Sequence, residues 1–332
     1  MANLLFTNAL GRVGQNTPPI WFMRQAGRYH SHYQKLKEKY TFEQLCKNAE
    51  LASEVACGPV KEFDFDLAIL FSDILFPLEG LGMPLSFSPG PVFGDILTKD
   101  NYKKYNNIER ALEHVEFQRK ALQYTREQLP ASKSLIGFVG GLWTLLRFAI
   151  DKKKPINQIE DFYFTFMQDI LLPLVKGNIQ LQLDAGAEIV MVFDSGVGDI
   201  DAENYKLKYI SLIEDIAKSF PNKIGYYSRG KNLTEVQKLF NNFFAGFGID
   251  HNISMTEMFS LNNSGFIQGN FDESKMLLDE NQLKIELKTY CDQMEKITNR
   301  DGWICGLGHG INKATSEKNV HLFIDNIRKR FS

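Results

Sequence analysis

Short apolar runs alternate with longer amphipathic segments through all 332 residues, and this alternation limits the fold more than any other feature. The runs are Ile20–Met23 and residues 66–71, 134–139, 188–193, 223–228, 245–250, 265–270 and 302–305. Helical periodicity occupies 43–63 (helical until Pro59), 108–128, 159–185, 203–219, 233–243 and 279–297. A Gly/Pro-rich stretch from Pro77 to Gly94 reads as loop. About eight strands alternating with helices imply parallel strands joined by helical crossovers. No linker or composition break divides the chain. The pattern predicts an α/β fold in which residues 1–332 form a single-domain (β/α)8 TIM-type barrel, with its active-site cleft at the C-terminal ends of the strands. An open doubly wound sheet is the alternative. It would more comfortably carry a GxGxxG turn after the first strand, and the sequence has none there.

Charge and cysteine usage narrow the function. There are 38 Lys and Arg against 40 Asp and Glu, a net charge of −2, with a pI near 6.3. No overall basic field draws nucleic acid or an anionic membrane, so attraction for an acidic ligand must be local. No apolar run approaches the roughly 18 residues that span a bilayer. The stretch MANLLFTNALGRVGQ lacks the basic start and long apolar core of a signal peptide. Cys46, Cys57, Cys291 and Cys305 are scattered, with no CxxC and no HxC. That argues against a zinc or disulfide framework and for reduced thiols in the cytoplasm.

If the active site lies at the C-terminal strand ends, the residues just past each apolar run should be polar. After Ile20–Met23 come Arg24, Gln25 and Arg28, within PPIWFMRQAGRY (Pro18 to Tyr29). Two guanidiniums four residues apart, with Gly27 between them, suit a carboxylate or phosphate cradle; they equally suit a structural ion pair. Ser72 and Asp73 follow 66–71, Asp194 and Ser195 follow 188–193, and Asp250 follows 245–250. Asn270 and Asp272 follow 265–270, and LGHG carries His309 after 302–305. Asp73 could instead cap a helix, and Ser195 and His309 could be turn residues. Asp250 and Asp272 read as structural turns, and DKKK (Asp151–Lys154) as a solvated loop.

Six segments, in order, carry a resemblance over nearly the full length. PPIWFMRQAGRY, FSDIL around Asp73, GFVGGLWTL (137–145), FDSGVG (193–198), IQGNFD (267–272) and GLGHGI (306–311) together resemble the uroporphyrinogen decarboxylase family. The resemblance implies a cofactor-free, metal-free (β/α)8 barrel, usually a homodimer. Its implied reaction removes the four acetate carboxyls of uroporphyrinogen III to give coproporphyrinogen III. It further implies that Arg24, Gln25, Ala26, Gly27 and Arg28 form the substrate-binding loop, that Asp73 is the key carboxylate, and that Ser195 and His309 bind substrate. Arg24 and Arg28 join Asp73 as expected catalytic groups.

The sequence departs from the family pattern at several points. Phe148 stands at the substrate-binding position where the family carries tyrosine; the Ala-Pro-Trp is Gly141, Leu142 and Trp143. His251 replaces a tryptophan, and Asn312 and Lys313 replace Leu-Pro. Losing one hydroxyl costs about 0.5–1.5 kcal/mol, which tunes a rate without abolishing it. Two other readings share the barrel or the ligand. A zinc-dependent methyltransferase needs three or four suitable metal ligands, and no HxC occurs. A tetrapyrrole-binding protein without turnover would keep the clamp but not the chemistry.

Overall fold

The computed structural model describes residues 3–87, 90–150, 160–239, 243–261 and 264–332. The DKKK stretch and residues 240–242 of the expected helix 233–243 lie outside these.

The strands are β1 (Leu67–Ile69), β2 (Leu85–Phe87), β3 (Pro91–Phe93), β4 (Ser134–Gly140), β5 (Val190–Asp194), β6 (Ile224–Ser228), β7 (Phe244–Gly248), β8 (Phe266–Phe271) and β9 (Trp303–Leu307). Seven of them form one curled parallel sheet in the order β1-β4-β5-β6-β7-β8-β9, so sequence order and spatial order agree. Each neighbour is reached through a helical crossover, as parallel pairing requires. The fold is α/β.

Residues that alternate along a strand enter two separate cores. Leu67, Ile69, Ile136, Met191, Phe193 and Phe266 pack together on one face, with Trp21, Met23 and Tyr227. Ala68, Leu135, Val190 and Val192 pack on the other face, against the helices. Full burial of each such aliphatic side chain contributes about 1.5–3 kcal/mol. A Cβ at Gly225 would lie 2.2 Å from Met191 Sδ, so the larger side chain has its room only because β6 carries glycine there.

The Ile20–Met23 run is not a regular strand. It makes one parallel bridge, Ile20 to Cys305. Cys305 N–H donates to Pro19 O (2.9 Å), Trp21 N–H to Cys305 O (3.3 Å), and on the other side Asp66 N–H donates to Ile20 O (3.0 Å). Asp66 Oδ2 also accepts the Ile20 N–H at 2.7 Å. The pairing stops because Arg24 turns the chain with φ of +65°, outside extended geometry.

Other boundaries differ for local reasons. The helix expected to end at Pro59 runs from Ala49 to Phe63 with Pro59 buried inside it; packing outweighs the one lost hydrogen bond. It starts where Asn48 accepts the Leu51 N–H. The expected helix 108–128 is two, Ile108–His114 and Glu116–Gln128. The expected loop Pro77–Gly94 holds the short helix Phe76–Gly80 and the antiparallel β2–β3 hairpin.

Candidate active site

Two distant stretches meet above the sheet. Ile311 N–H donates to Met23 O at 3.0 Å, which ties the loop beyond β9 to the arginine loop. Gln25 anchors that loop from behind. It is fully buried, its Oε1 accepts the Phe22 N–H at 3.1 Å, and its Nε2 donates to Leu67 O at 2.8 Å. Its side chain therefore serves the loop's shape. Ala26 and Gly27 are half-buried in the turn, and His30 N–H closes the turn on Gly27 O at 3.0 Å.

Arg24 and Arg28 both keep accessible surface. The Arg24 guanidinium is nonetheless recessed: burial lowers its pKa first and the Arg28 charge next, with Tyr227 and Asp73 acting in the opposite direction. The two arginines are therefore neighbours in a site where like charges are held together. Among the described residues neither forms an ion pair with a carboxylate within 4.0 Å, unlike a surface arginine such as Arg330, which meets Glu295 at 2.6 Å.

Asp73 is half-buried after β1. Its Oδ1 accepts the Leu75 N–H at 2.9 Å, so it shapes the turn into the helix that follows. Its charge also acts on Arg24. Asp73 does not cap that helix, whose N-cap Leu75 has no side-chain cap bond; it is anchored in the turn before it, and its charge acts on Arg24.

Ser195, half-buried, sits directly beyond β5 on a loop that Asp194 organises. Asp194 is fully buried and accepts from Thr144 N–H (3.1 Å), Thr144 Oγ1 (2.7 Å) and Tyr226 OH (3.0 Å), as well as from Tyr209 OH. Burial raises its pKa, and these hydrogen bonds oppose the rise. Asp194 is a structural knot, and Gly141 leaves room for it: a Cβ there would meet Asp194 Cγ at 2.3 Å. Phe148 lies half-buried on the helix Leu142–Ala149 that starts from this knot.

His309 is half-buried beyond β9, with its ring stacked on Tyr227 at a centroid distance of 5.9 Å. Burial lowers its pKa to about 3, helped by Arg24 and Arg229. Asp250 and Asp272 hold turns as their sequence context suggests: Asp250 accepts the Gly230 and Asn252 N–H groups, and Asp272 those of Ser274.

Arg229 and Tyr227 were not found by reading strand ends. Arg229 follows β6 in YYSRG, where the rule that picked Asp73 after β1 applies equally. Its charge reaches both Arg24 and His309. Its nearest carboxylate is Glu273, at 3.7 Å. Tyr227 reads from sequence as a buried strand residue, and nothing in the pattern marks its hydroxyl.

Among the described residues, His251, Asp272 and Glu273 bring potential metal-ligand atoms within 4.8 Å of one another. Protein donors already engage them: His251 Nδ1 lies 3.1 Å from Glu273, Arg229 faces Glu273, and Ser274 donates to Asp272.

A parallel α/β sheet with arginines, a carboxylate and an imidazole gathered beyond its strand ends has the makings of an enzyme for acidic small molecules. The sequence profile of the family described as Uroporphyrinogen decarboxylase (URO-D) matches residues 1–330. The uroporphyrinogen decarboxylase of Francisella tularensis subsp. novicida (strain U112) is 31% identical, with 98% of this chain and 98% of the relative covered. That of Synechococcus sp. (strain JA-2-3B'a(2-13)) is 30% identical, with 99% and 98% covered. Among solved structures, a methyltransferase from Methanosarcina mazei superposes with a TM-score of 0.82 at 15% identity, covering 99% of this chain and 100% of that one. That likeness concerns the fold alone. The chain belongs to the uroporphyrinogen decarboxylase family.

Proposed function

We propose that this protein is a carboxy-lyase that converts the four acetate side chains of uroporphyrinogen III to methyl groups, giving coproporphyrinogen III and CO2 in haem biosynthesis. The observation that carries this reading is the gathering of Arg24, Arg28 and Asp73 beyond the strand ends, with the Ile311–Met23 hydrogen bond bringing the His309 loop against the arginine loop. A clamp for carboxylates beside a single carboxylate fits a ligand that is acidic at its rim and rich in N–H at its centre.

Loss of CO2 from a pyrrole acetate leaves an electron pair that must be accepted. A pyrrole protonated on ring carbon can take it as CO2 leaves; a proton then adds to the former acetate carbon, and the ring-carbon proton is lost to restore the pyrrole, so that one proton is consumed for each CO2 released. Asp73 stabilises the cationic ring and accepts hydrogen bonds from its N–H groups, with most effect where water is excluded. Arg24 and Arg28 hold rim carboxylates so that the reacting acetate is oriented over the ring. Ser195 and the backbone of residues 24–28 add hydrogen bonds to the rim, and Phe148 supplies an apolar wall. The reaction uses no cofactor or metal in this reading.

The finer architecture follows the same proposal. The Pro19–Trp21 segment acts as an eighth stave between β9 and β1, closing a single-domain barrel; its hydrogen bonds to Cys305 and Asp66 support this. The protein works as a homodimer, a proposal taken from the family resemblance. Four free, buried cysteines support a cytoplasmic location.

Anaerobic incubation with uroporphyrinogen III, with the carboxyl count of the products resolved by chromatography, tests the function. Stepwise loss of four carboxyls is expected. Binding with all carboxyls retained would instead make this a tetrapyrrole-binding protein without turnover.

A further inference from the structure

A clamp built from one loop meets only one arc of a macrocycle that is acidic all round its rim, so the opposite arc needs a cation of its own. The sheet order gives that arc to β6. The arginine loop rises between the two edges of the sheet, bridging to β9 through Ile20 and Cys305 and meeting Asp66, just before β1, on its other side. β6 is the middle strand of the seven. The curl brings its end within reach of the loop beyond β9, where Tyr227 OH donates to Gly308 O at 2.9 Å. Arg229 comes two residues later, and its backbone is fixed from both sides. Gly230 N–H donates to Asp250 Oδ2 at 2.9 Å, and a Cβ at Gly198, in the Ser195 loop, would lie 2.9 Å from Arg229 O. The Arg229 side chain is 46% exposed and makes no hydrogen bond among the described residues. Glu273 lies 3.7 Å from it but only 3.1 Å from His251. Neighbouring cations are already committed: Arg147 meets Asp199 at 3.2 Å, and buried Lys231 donates to Ile200 O.

We infer that Arg229 is a further substrate-binding residue, which takes a propionate of the rim across the mouth from Arg24 and Arg28, with Glu273 holding its guanidinium in the free protein. This rests on the proposed substrate and assigns the far side of its rim. A partly exposed ion pair at 3.7 Å is too long for a hydrogen bond and contributes little. A substrate carboxylate that takes two guanidinium N–H groups in parallel displaces it. The acetates disappear one by one, so a contact that serves every turn of the reaction must be to a side chain that survives, a propionate. The charge of Arg229 disfavours protonation of both Arg24 and His309, as befits groups facing one mouth. Ring N–H groups remain with Asp73, and the arginines divide the rim.

The test compares the wild type, Arg229→Gln, Glu273→Gln and the double variant by anaerobic calorimetry with coproporphyrinogen III, which carries the propionates and needs no turnover, and by steady-state decarboxylation of uroporphyrinogen III. Arg229→Gln should weaken coproporphyrinogen III binding about tenfold. It should raise KM by about the same factor with kcat within about threefold, because the contact persists from ground state to transition state. Glu273→Gln releases the guanidinium and should tighten binding about two- to fivefold. In the double variant that gain should vanish. A purely structural ion pair predicts instead that both single variants lose stability alike and keep wild-type affinity. Wild-type affinity and KM in Arg229→Gln, or binding weakened by Glu273→Gln, would overturn the inference. Should Arg229→Gln fail to fold, Glu273→Gln against the wild type decides. If the wild type binds without decarboxylating, only the proposed reaction falls and the affinities still judge Arg229; if it binds no porphyrinogen, both fall.

Discussion

Arg24 occupies the space that a side chain at Gly310 would need: a Cβ there would lie 2.5 Å from Arg24 Cδ and 2.9 Å from its Nε. Gly310 thus gives Arg24 its room, and belongs to the proposed carboxylate clamp although it offers no functional group. Gly310→Ala should displace the guanidinium and lower kcat/KM at least tenfold, about 1.4 kcal/mol, with little change in unfolding midpoint. Steady-state kinetics and thermal unfolding check this; unaltered kinetics would refute it.

Asp73→Asn separates the two duties of that residue. The amide oxygen can still accept the Leu75 N–H, so the fold should survive. The charge is gone, and loss of one preorganised electrostatic partner costs about 3–4 kcal/mol, or hundreds-fold in rate. A variant retaining more than about a tenth of wild-type turnover, a 1.4 kcal/mol loss, would remove Asp73 from the chemistry.

Phe148→Tyr adds one hydroxyl to the half-buried ring on the helix Leu142–Ala149. One hydrogen bond contributes about 0.5–1.5 kcal/mol, so the rate should change by no more than about tenfold. If decarboxylation appeared in the variant from none in the wild type, the natural chain would be a binding protein.

His309 should also make the fold sensitive to acid. An unfolded histidine takes up a proton near pH 6.5, whereas burial and the nearby arginines push the folded value to about 3. Between those values the unfolded chain binds the additional proton, so stability falls as pH drops from about 6.5 toward 3. His309→Gln should show a shallower decline across that window. Urea unfolding at stepped pH measures the difference, and parallel curves would count against a neutral, buried imidazole.

Much of the fold was open to sequence reasoning because parallel strands buried on both faces leave continuous apolar runs. β4 to β9 therefore lie close to their expected positions. The misjudged pieces depend on tertiary contacts. Pro59 is carried through a helix by packing, Ile20–Met23 pairs at only one bridge, and β2–β3 is a small hairpin inside a Gly/Pro-rich stretch. The same division runs through the site. Arg24, Asp73 and His309 stood out as candidates because polar residues just past a buried run are conspicuous, and the structure brings their loops to the same end of the sheet. Asp194 was legible as a polar residue yet belongs to a buried knot, since only the distant Thr144, Tyr209 and Tyr226 reveal its partners. Tyr227 could not be read, because its hydroxyl acquires meaning only beside Gly308 and His309.

The hydrogen bond from Ile311 to Met23 has a consequence in time. A ribosome delivers the arginine loop early and its counterpart late; at roughly 5–20 residues per second, the interval is on the order of 15–60 s. During that wait the arginine fork has neither the glycine surface against which Arg24 lies nor the histidine loop beside it. The proposed clamp is therefore incomplete part-way through synthesis, and its parts come together only after the ninth strand has emerged.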